Sequence, residues 1–360
     1  MVNSGKQVFI RADASVFIGS GHIMRCLSLA KGLQDRGCTV YFGCCEWDGN
    51  LCDFIESKGY KVFKLNIDED SLSRFNRESF WRLDAEKTAE LLVANQLVVD
   101  WLIVDHYQLD QAWEKFLRPF VRNIMVIDDL ASRSHDCELL LDQNLTDNMN
   151  QRYVGLIPGN CQTLLGPQYV LLRPSFSQMR KHRQGDFSTI RRVLVFFGGS
   201  DAENETSKAI EAIKIINDPS IKIDVVVGAS NPHRHEIEEI CSQLAQFEFY
   251  CQIDNMAELM VRADLALGAG GSATWERCCV GLPSIVAVMS EDQLALTQAV
   301  ADLGATINLG WVQQLSPADY AKAIERLDKH MLLAMSQRGM HLVDGKGCDR
   351  VVSCILENWV

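Results

Sequence analysis

A histidine set among glycines is the first place where this chain could do chemistry. Gly19-Ser20-Gly21-His22 lies where the apolar run Val8-Phe9-Ile10, continued by Arg11-Ala12-Asp13, gives way to a helical pattern from about Gly21 to Arg36. Ile23, Leu27, Ala30 and Leu33 recur at helical spacing, Gly37 offers a left-handed stop, and Cys38 to Phe42 reads as the next strand. Glycines on either side of a small residue let the backbone approach a ligand closely, and the start of a helix presents free N–H groups. A neutral imidazole at such a turn can take a proton from water as a general base. It can equally do no more than cap its helix, and the loop alone weighs the two roles evenly.

The second informative stretch is Gly268-Ala269-Gly270-Gly271-Ser272-Ala273-Thr274-Trp275-Glu276, which follows Leu265-Ala266-Leu267 and opens another helix. Small residues at a strand-to-helix turn suit a diphosphate, held by backbone N–H groups and by the Ser272 or Thr274 hydroxyl. Glu276, one turn in, is spaced to accept hydrogen bonds from the two hydroxyls of a ribose. The plainer alternative is a tight turn with a surface glutamate. The spacing is not GxGxxG and the P-loop lysine is missing, which disfavours a dinucleotide or ATP hydrolysis of that type. Gly198-Gly199-Ser200 is placed to cover a diphosphate from the opposite sheet edge, and Gln293 to bond a sugar hydroxyl or cap its helix. His233 and His235 read as exposed turn residues, and no carboxylate–histidine set has metal spacing.

Strands and helices must alternate to position these turns. In the first half the strand-like runs are Val8–Ile10, Thr39–Phe42, Lys61–Leu65, Leu102–Val104, Ile124–Ile127 and Leu139–Leu141. Asp105, Asp128, Asp129 and Asp142 each follow a run, at what would be the carboxyl edge of a parallel sheet. Taken singly, each reads as a cap or a solvated loop residue. Arg173 to Arg192 has no clear period and carries the cluster Arg180-Lys181-His182-Arg183, which suggests a linker. Beyond it the alternation restarts with Val193–Phe197, a turn, and a helix from Ala202 to Ile216, then Ile223–Val227, Phe247–Tyr250, Leu265–Leu267, Ile285–Val288 and Thr306–Leu309. Pro317 to Leu333 and the last stretch before Val360 read as helical. The expected division is a domain over 1–173, a linker over 174–192 and a second domain over 193–360.

With 360 residues, 47% of them hydrophobic, the chain is long enough for two full cores. A net charge of −12 argues against a nucleic-acid or anionic-membrane surface, though not against a local phosphate site built from backbone N–H groups. There is no spanning apolar run and no signal-peptide pattern, and the 13 cysteines form no CxxC, which together point to a reducing cytosol. The oligomeric state is not set by these features.

Arg11-Ala12-Asp13, Ile18-Gly19-Ser20-Gly21-His22 and Arg25-Cys26-Leu27 resemble the N-terminal signature of the UDP-sugar hydrolases of pseudaminic acid biosynthesis. Asp105-His106-Tyr107, Asp128-Asp129-Leu130, Gly198-Gly199-Ser200-Asp201 and the turn from Gly270 to Glu276 are similar to that family's later motifs, in the same order. The resemblance covers most of the chain. It implies an α/β fold of GT-B architecture, two Rossmann-like domains facing across a cleft, akin to the glycosyltransferase that makes lipid II. It also implies cleavage of UDP-2,4-diacetamido-2,4,6-trideoxy-β-L-altropyranose to the free sugar and UDP, with no metal or other cofactor. The family's catalytic histidine falls on His22 and its ribose-binding glutamate on Glu276. Asp13, Gly19, Ser20, Gly21, Arg25, Tyr107 and Gln293 are then assigned to the sugar. Gly198, Gly199, Ser200, Ile253, Gly271, Ser272, Ala273, Thr274 and Glu276 are assigned to UDP. A UDP-sugar bound across such a cleft would present its anomeric carbon to His22, for inverting attack by water. Some relatives carry an appended acetyltransferase domain, for which this chain is too short. The same fold serves glycosyltransferases, so a UDP-sugar-dependent transferase and a non-catalytic nucleotide-sugar-binding protein stand as alternatives.

Overall fold

The computed structural model describes residues 5–68, 77–183 and 187–357. The chain falls into two compact units. The first takes the described residues of Met1–Asn144, Asn148–Leu171 and Gly347–Val360, and the second takes those of Leu145–Asp147 and Leu172–Lys346. In the first unit the strands are β1 (Gln7–Ala12), β2 (Thr39–Cys45), β3 (Lys61–Leu65), β4 (Val99–Asp105), β5 (Val121–Ile127), β6 (Leu139–Asp142) and β7 (Gln162–Leu165). They form one parallel sheet in the order β3-β2-β1-β4-β5-β6-β7. The helices α1 (Gly21–Asp35), α2 (Cys52–Ser57), α3 (Arg77–Ala94) and α4 (Gln111–Leu117) connect it. β4 is buried along its whole length, as a central parallel strand covered on both faces must be. The chain runs outward from β1 to β3 and then jumps back to β4, so the strand order reverses between β1 and β4. Ligands of open α/β sheets bind outside the carboxyl ends of the strands at such a reversal.

The second unit repeats the plan. β8 (Arg192–Phe196), β9 (Lys222–Val227), β10 (Phe247–Cys251), β11 (Leu265–Ala269), β12 (Ser284–Val288) and β13 (Ile307–Trp311) form a parallel sheet in the order β10-β9-β8-β11-β12-β13. Its reversal lies between β8 and β11. Its helices are α5 (Pro174–Met179), α6 (Glu205–Ile216), α7 (Arg234–Ser242), α8 (Met256–Arg262), α9 (Ala273–Val280), α10 (Glu291–Asp302), α11 (Pro317–Glu325) and α12 (Lys329–Leu342). Among the described residues, no helix is long and apolar enough to cross a membrane.

Two features of the expected organisation change. The described part of the 174–192 stretch is not a free linker: it contains α5 and clusters with the second unit, while residues 184–186 lie outside the described residues. The chain's last helix, α13 (Gly347–Glu357), belongs to the first unit rather than to the second domain. Gly32 is the reason it fits there. A Cβ at Gly32 would stand 2.9 Å from Val352 Cγ2, so only a glycine in α1 lets the two helices approach this closely. Val351, Val352 and Ile355 complete the core on that face. In addition, β7 is a strand that the periodicity does not reveal, and the pattern from Pro317 resolves into α11 and α12.

Candidate functional site

Ala12 ends β1, Asp105 ends β4, and the two are register partners. The chain leaves β1 through Asp13 and a turn in which Gly19 donates to Ser15 O at 2.8 Å. Gly19 sits at φ +78, a conformation that L side chains rarely adopt, which explains the residue type. α1 then starts at Gly21. Ser20, its N-cap, makes no side-chain capping bond, and neither does His22 cap the helix. Instead His22 Nδ1 lies 2.6 Å from Asp105 Oδ1. Arg25, one turn further on, donates from Nε to Asp105 Oδ2 and from Nη2 to Oδ1, each at 2.6 Å, and from Nη1 to Asp129 Oδ2 at 3.0 Å. Asp129 comes from the loop after β5, the neighbour of β4.

This geometry fixes the tautomer. Asp105 is wholly buried, which by itself would raise its pKa, but Arg25 and then His22 override burial and hold the carboxyl well below the usual range. An ionised Asp105 can only accept, so Nδ1 of His22 carries the hydrogen of the bond between them. In the neutral imidazole the lone pair is then on Nε2. The Tyr107 ring stands edge-on to His22, centroids 4.7 Å apart, and limits how the imidazole can turn. Arg133 holds the Tyr107 carbonyl.

Asp13 takes a different place from the one expected for a sugar ligand. It is fully buried, paired with Arg11 at 2.7 Å, and accepts from Cys45 N at 2.6 Å. Burial opposes its ionisation, yet Arg11 and His106 keep its carboxyl far below the ordinary range. With no surface to offer a substrate, Asp13 braces the edge of β1. The four edge aspartates are likewise not solvated loop residues. Asp105 and Asp128 are completely buried and Asp142 is 1% exposed. Asp128 pairs with Arg133 and accepts from Tyr153 at 3.0 Å, while burial pushes Asp142 up to about 6 beside Arg152.

In the second unit, the turns after β8 and β11 flank that sheet's reversal. Gly198, at φ +103, starts the first. Gly199 packs so tightly on Gly228 that a Cβ on Gly228 would come within 2.2 Å of the Gly199 carbonyl oxygen. Ser200 is half-buried, and Asp201 turns inward to accept from Glu205 N and Thr206 N at 2.9 and 3.0 Å, so α6 begins later than the sequence pattern suggests. After β11, a Cβ on Gly270 would collide with Thr297 Oγ1 at 1.8 Å. Gly271 faces the Gln293 side chain, whose Oε1 accepts from Met289 N at 3.2 Å. Ser272 is exposed and caps nothing, so its hydroxyl is open to a ligand, while Thr274 N and Trp275 N of the first turn of α9 donate to Gly271 O and Ser272 O at 2.9 and 3.1 Å. The Thr274 hydroxyl is not open: the residue is 2% exposed, and Arg277, which also holds Ala269 O, donates to that hydroxyl at 2.9 Å. Of the two hydroxyls considered for a diphosphate, only that of Ser272 is exposed.

Glu276 points from the first turn of α9 with a fifth of its side chain exposed, and Arg173 Nη2 lies 3.5 Å from its Oε1. Burial raises its pKa, and Arg173 and Arg277 pull the other way. Ile253 is half-buried in the loop after β10. Among the described residues, no group of three His, Cys, Asp or Glu is placed to hold a metal ion. Sequence reasoning missed Asp105 and Arg173. The signal for Asp105 was its place at the end of the strand beside β1; Arg173, at the head of an apparent linker, gave none.

Comparison with known proteins places this geometry. Residues 193–342 match the Glycosyltransferase family 28 C-terminal domain. The chain is 30% identical over 360 residues to the spore coat polysaccharide biosynthesis protein SpsG of Bacillus subtilis, covering 97% of each. It is 27% identical over 258 residues to the UDP-2,4-diacetamido-2,4,6-trideoxy-β-L-altropyranose hydrolase of Campylobacter jejuni, covering 71% of this chain and 81% of that one. In structure it is similar to Acinetobacter baumannii MurG, with a TM-score of 0.65 at 13% identity over 98% of this chain and 99% of that one. The two Rossmann-like units are those of the GT-B fold.

Proposed function

Starting from the family of the spore coat polysaccharide biosynthesis protein SpsG, to which this chain belongs, we propose that it is a UDP-sugar hydrolase with His22 as its general base. The observation that carries this reading is the 2.6 Å contact between Asp105 and His22 Nδ1, which leaves Nε2 as the basic nitrogen. Water gives its proton to Nε2 while its oxygen attacks the anomeric carbon and the bond from C1 to the UDP oxygen breaks. Asp105 stabilises the imidazolium that forms, as an orienting carboxylate does in other histidine bases. Asp105 is buried and bound by Arg25, so it is no nucleophile, and a single displacement with inversion fits better than a covalent intermediate. In the second unit, the Gly271-Ser272 turn would take the diphosphate, and Glu276 the ribose diol.

The substrate we favour is the UDP-linked diacetamido-trideoxy sugar, on the strength of the Gly19-to-His22 loop and the similarity to the Campylobacter enzyme. With no disulfide among the 13 cysteines, the cytoplasm is the compartment we assign. The match to a glycosyltransferase domain favours a second reading, transfer of the sugar to an acceptor. Release of UDP from a panel of UDP-amino sugars, with and without added acceptors, separates the two. Hydrolysis predicts full UDP release in buffer alone, fastest for the diacetamido-trideoxy sugar; a transferase would release UDP chiefly when an acceptor is present.

A further inference from the structure

Arg173 has no part in the reading above, yet it touches both sides of the proposed nucleotide site. Pro174 follows it and confines it to extended backbone, at φ −60 and ψ 143. From there its side chain crosses the Phe176 ring, 5.2 Å from the centroid, and its fork divides. Nη1 donates to the Asp254 carbonyl at 3.2 Å, in the loop that carries Ile253, and Nη2 reaches Glu276 Oε1 at 3.5 Å. Its Nε is buried with no hydrogen-bond partner among the described residues. An arginine is suited to this because its planar guanidinium presents donors in several directions from one rigid group, which a lysine cannot do.

We infer that Arg173 is a positioning residue for the nucleotide, bracing the Glu276 carboxylate and the Ile253–Asp254 loop as one unit. This rests on the proposed role of Glu276 at the ribose. A diol donates two hydrogen bonds, and an ionised carboxylate accepts one at each oxygen, whereas protonation turns one of those oxygens into a donor. The ionisable and charged groups around Glu276 are Arg173, Arg277 and Cys279. Arg277 is on the same helix and turned toward Ala269 O and Thr274. Cys279 is a neutral thiol, pushed up to about 11 by burial. Arg173 is therefore the cation that reaches Glu276 from another element. Removing it leaves a half-buried carboxyl with less reason to stay ionised, so nucleotide binding should weaken more at lower pH.

The test is UDP affinity by calorimetry for wild type, Arg173→Gln, Arg173→Lys and Glu276→Gln between about pH 6 and pH 8. Taking the ratio of wild-type to variant affinity removes the titration of the UDP phosphate, which is common to both. For Arg173→Gln the ratio should rise from about threefold near pH 8 to about tenfold near pH 6. Arg173→Lys, which keeps the charge and loses the fork, should show a constant loss of about threefold. A ratio for Arg173→Gln that stays flat with pH would reduce Arg173 to a structural contact, and unchanged affinity would remove it from the site altogether. Should Arg173→Gln fail to fold, wild-type affinity in Arg173→Lys overturns the inference by itself. Glu276→Gln keeps the two ideas apart: if it binds UDP like wild type, the ribose assignment fails; if it binds weakly while the Arg173 ratio stays flat, only the role of Arg173 fails.

Discussion

The two units place their candidate sites at the same point of the same topology and build them by opposite means. At the β1/β4 reversal the candidate site is built by side chains distant in sequence: Arg25 pairs with Asp105 and Asp129, and His22 hydrogen-bonds Asp105. At the β8/β11 reversal it is done by local backbone, with glycines packed against Gly199 and Thr297 and an uncapped helix start. In the first region Asp105 is engaged by His22 and Arg25 before any ligand arrives, whereas in the second Ser272 is exposed and Glu276, paired with Arg173, keeps a fifth of its side chain exposed. Proton transfer needs a base held in one tautomer and one orientation, which demands a network. Anion binding needs N–H groups and room, which a turn supplies alone.

If the first region is a network, its members should act as a unit. His22→Asn should cut turnover by about 10²–10⁴, and Asp105→Asn, which donates where Asp105 accepts and so favours the wrong tautomer, by about the same. The double variant should be hardly slower than either single one, since removing one member already disables the base. UDP affinity should be unchanged throughout. Steady-state kinetics with binding isotherms checks this, and multiplicative losses in the double variant would mean that the two residues act separately.

The second region should respond in the opposite sense. Glu276→Ala should weaken UDP binding by about tenfold to a hundredfold, the scale of hydrogen bonds to a charged group, with the chemical step little altered. In single-turnover experiments at saturating substrate, a large fall in rate with intact UDP affinity would reverse the roles given to the two regions.

The smallest effect is on stability in acid. Burial opposes the charge on Asp105 and Asp13, but Arg25 and Arg11 outweigh it and lower both pKa values. The stability they contribute is present above the ordinary carboxylate value and is lost as pH falls. Glu276 has the opposite sign: burial raises its pKa, so its contribution is present at low pH and is lost as pH rises through the raised value. Hydrogen-exchange protection factors should therefore drop at the first turn of α1 and the end of β4 below about pH 4, before they drop in α9. Earlier opening of α9 would contradict the assignment of charge to the first region.

The same contrast explains what the sequence made legible. The turn from Gly268 to Glu276 could be read directly, because strand, glycines, helix and acid are contiguous, although the need for Gly270 comes from Thr297, 27 residues on. His22 was visible for the same reason. Its partner was not: Asp105 is 83 residues away, and only the pairing of β1 with β4 brings it within 2.6 Å. A lone aspartate after an apolar run has the composition of a cap whichever role it plays. The burial of the Thr274 hydroxyl under Arg277 is a packing fact without a spacing signature. The return of α13 to the first unit was hidden likewise, since Gly32 and Val352 meet only in three dimensions.

The most direct test of a water-activating His22 is turnover of the UDP-diacetamido-trideoxy sugar in ¹⁸O-water without any acceptor, with the released UDP analysed by mass. Attack at C1 predicts that UDP is released and carries no label, while the oxygen from water enters the sugar. Label in the β-phosphate would place the attack at phosphorus, and no UDP release until an acceptor is added would mean that water is not the nucleophile.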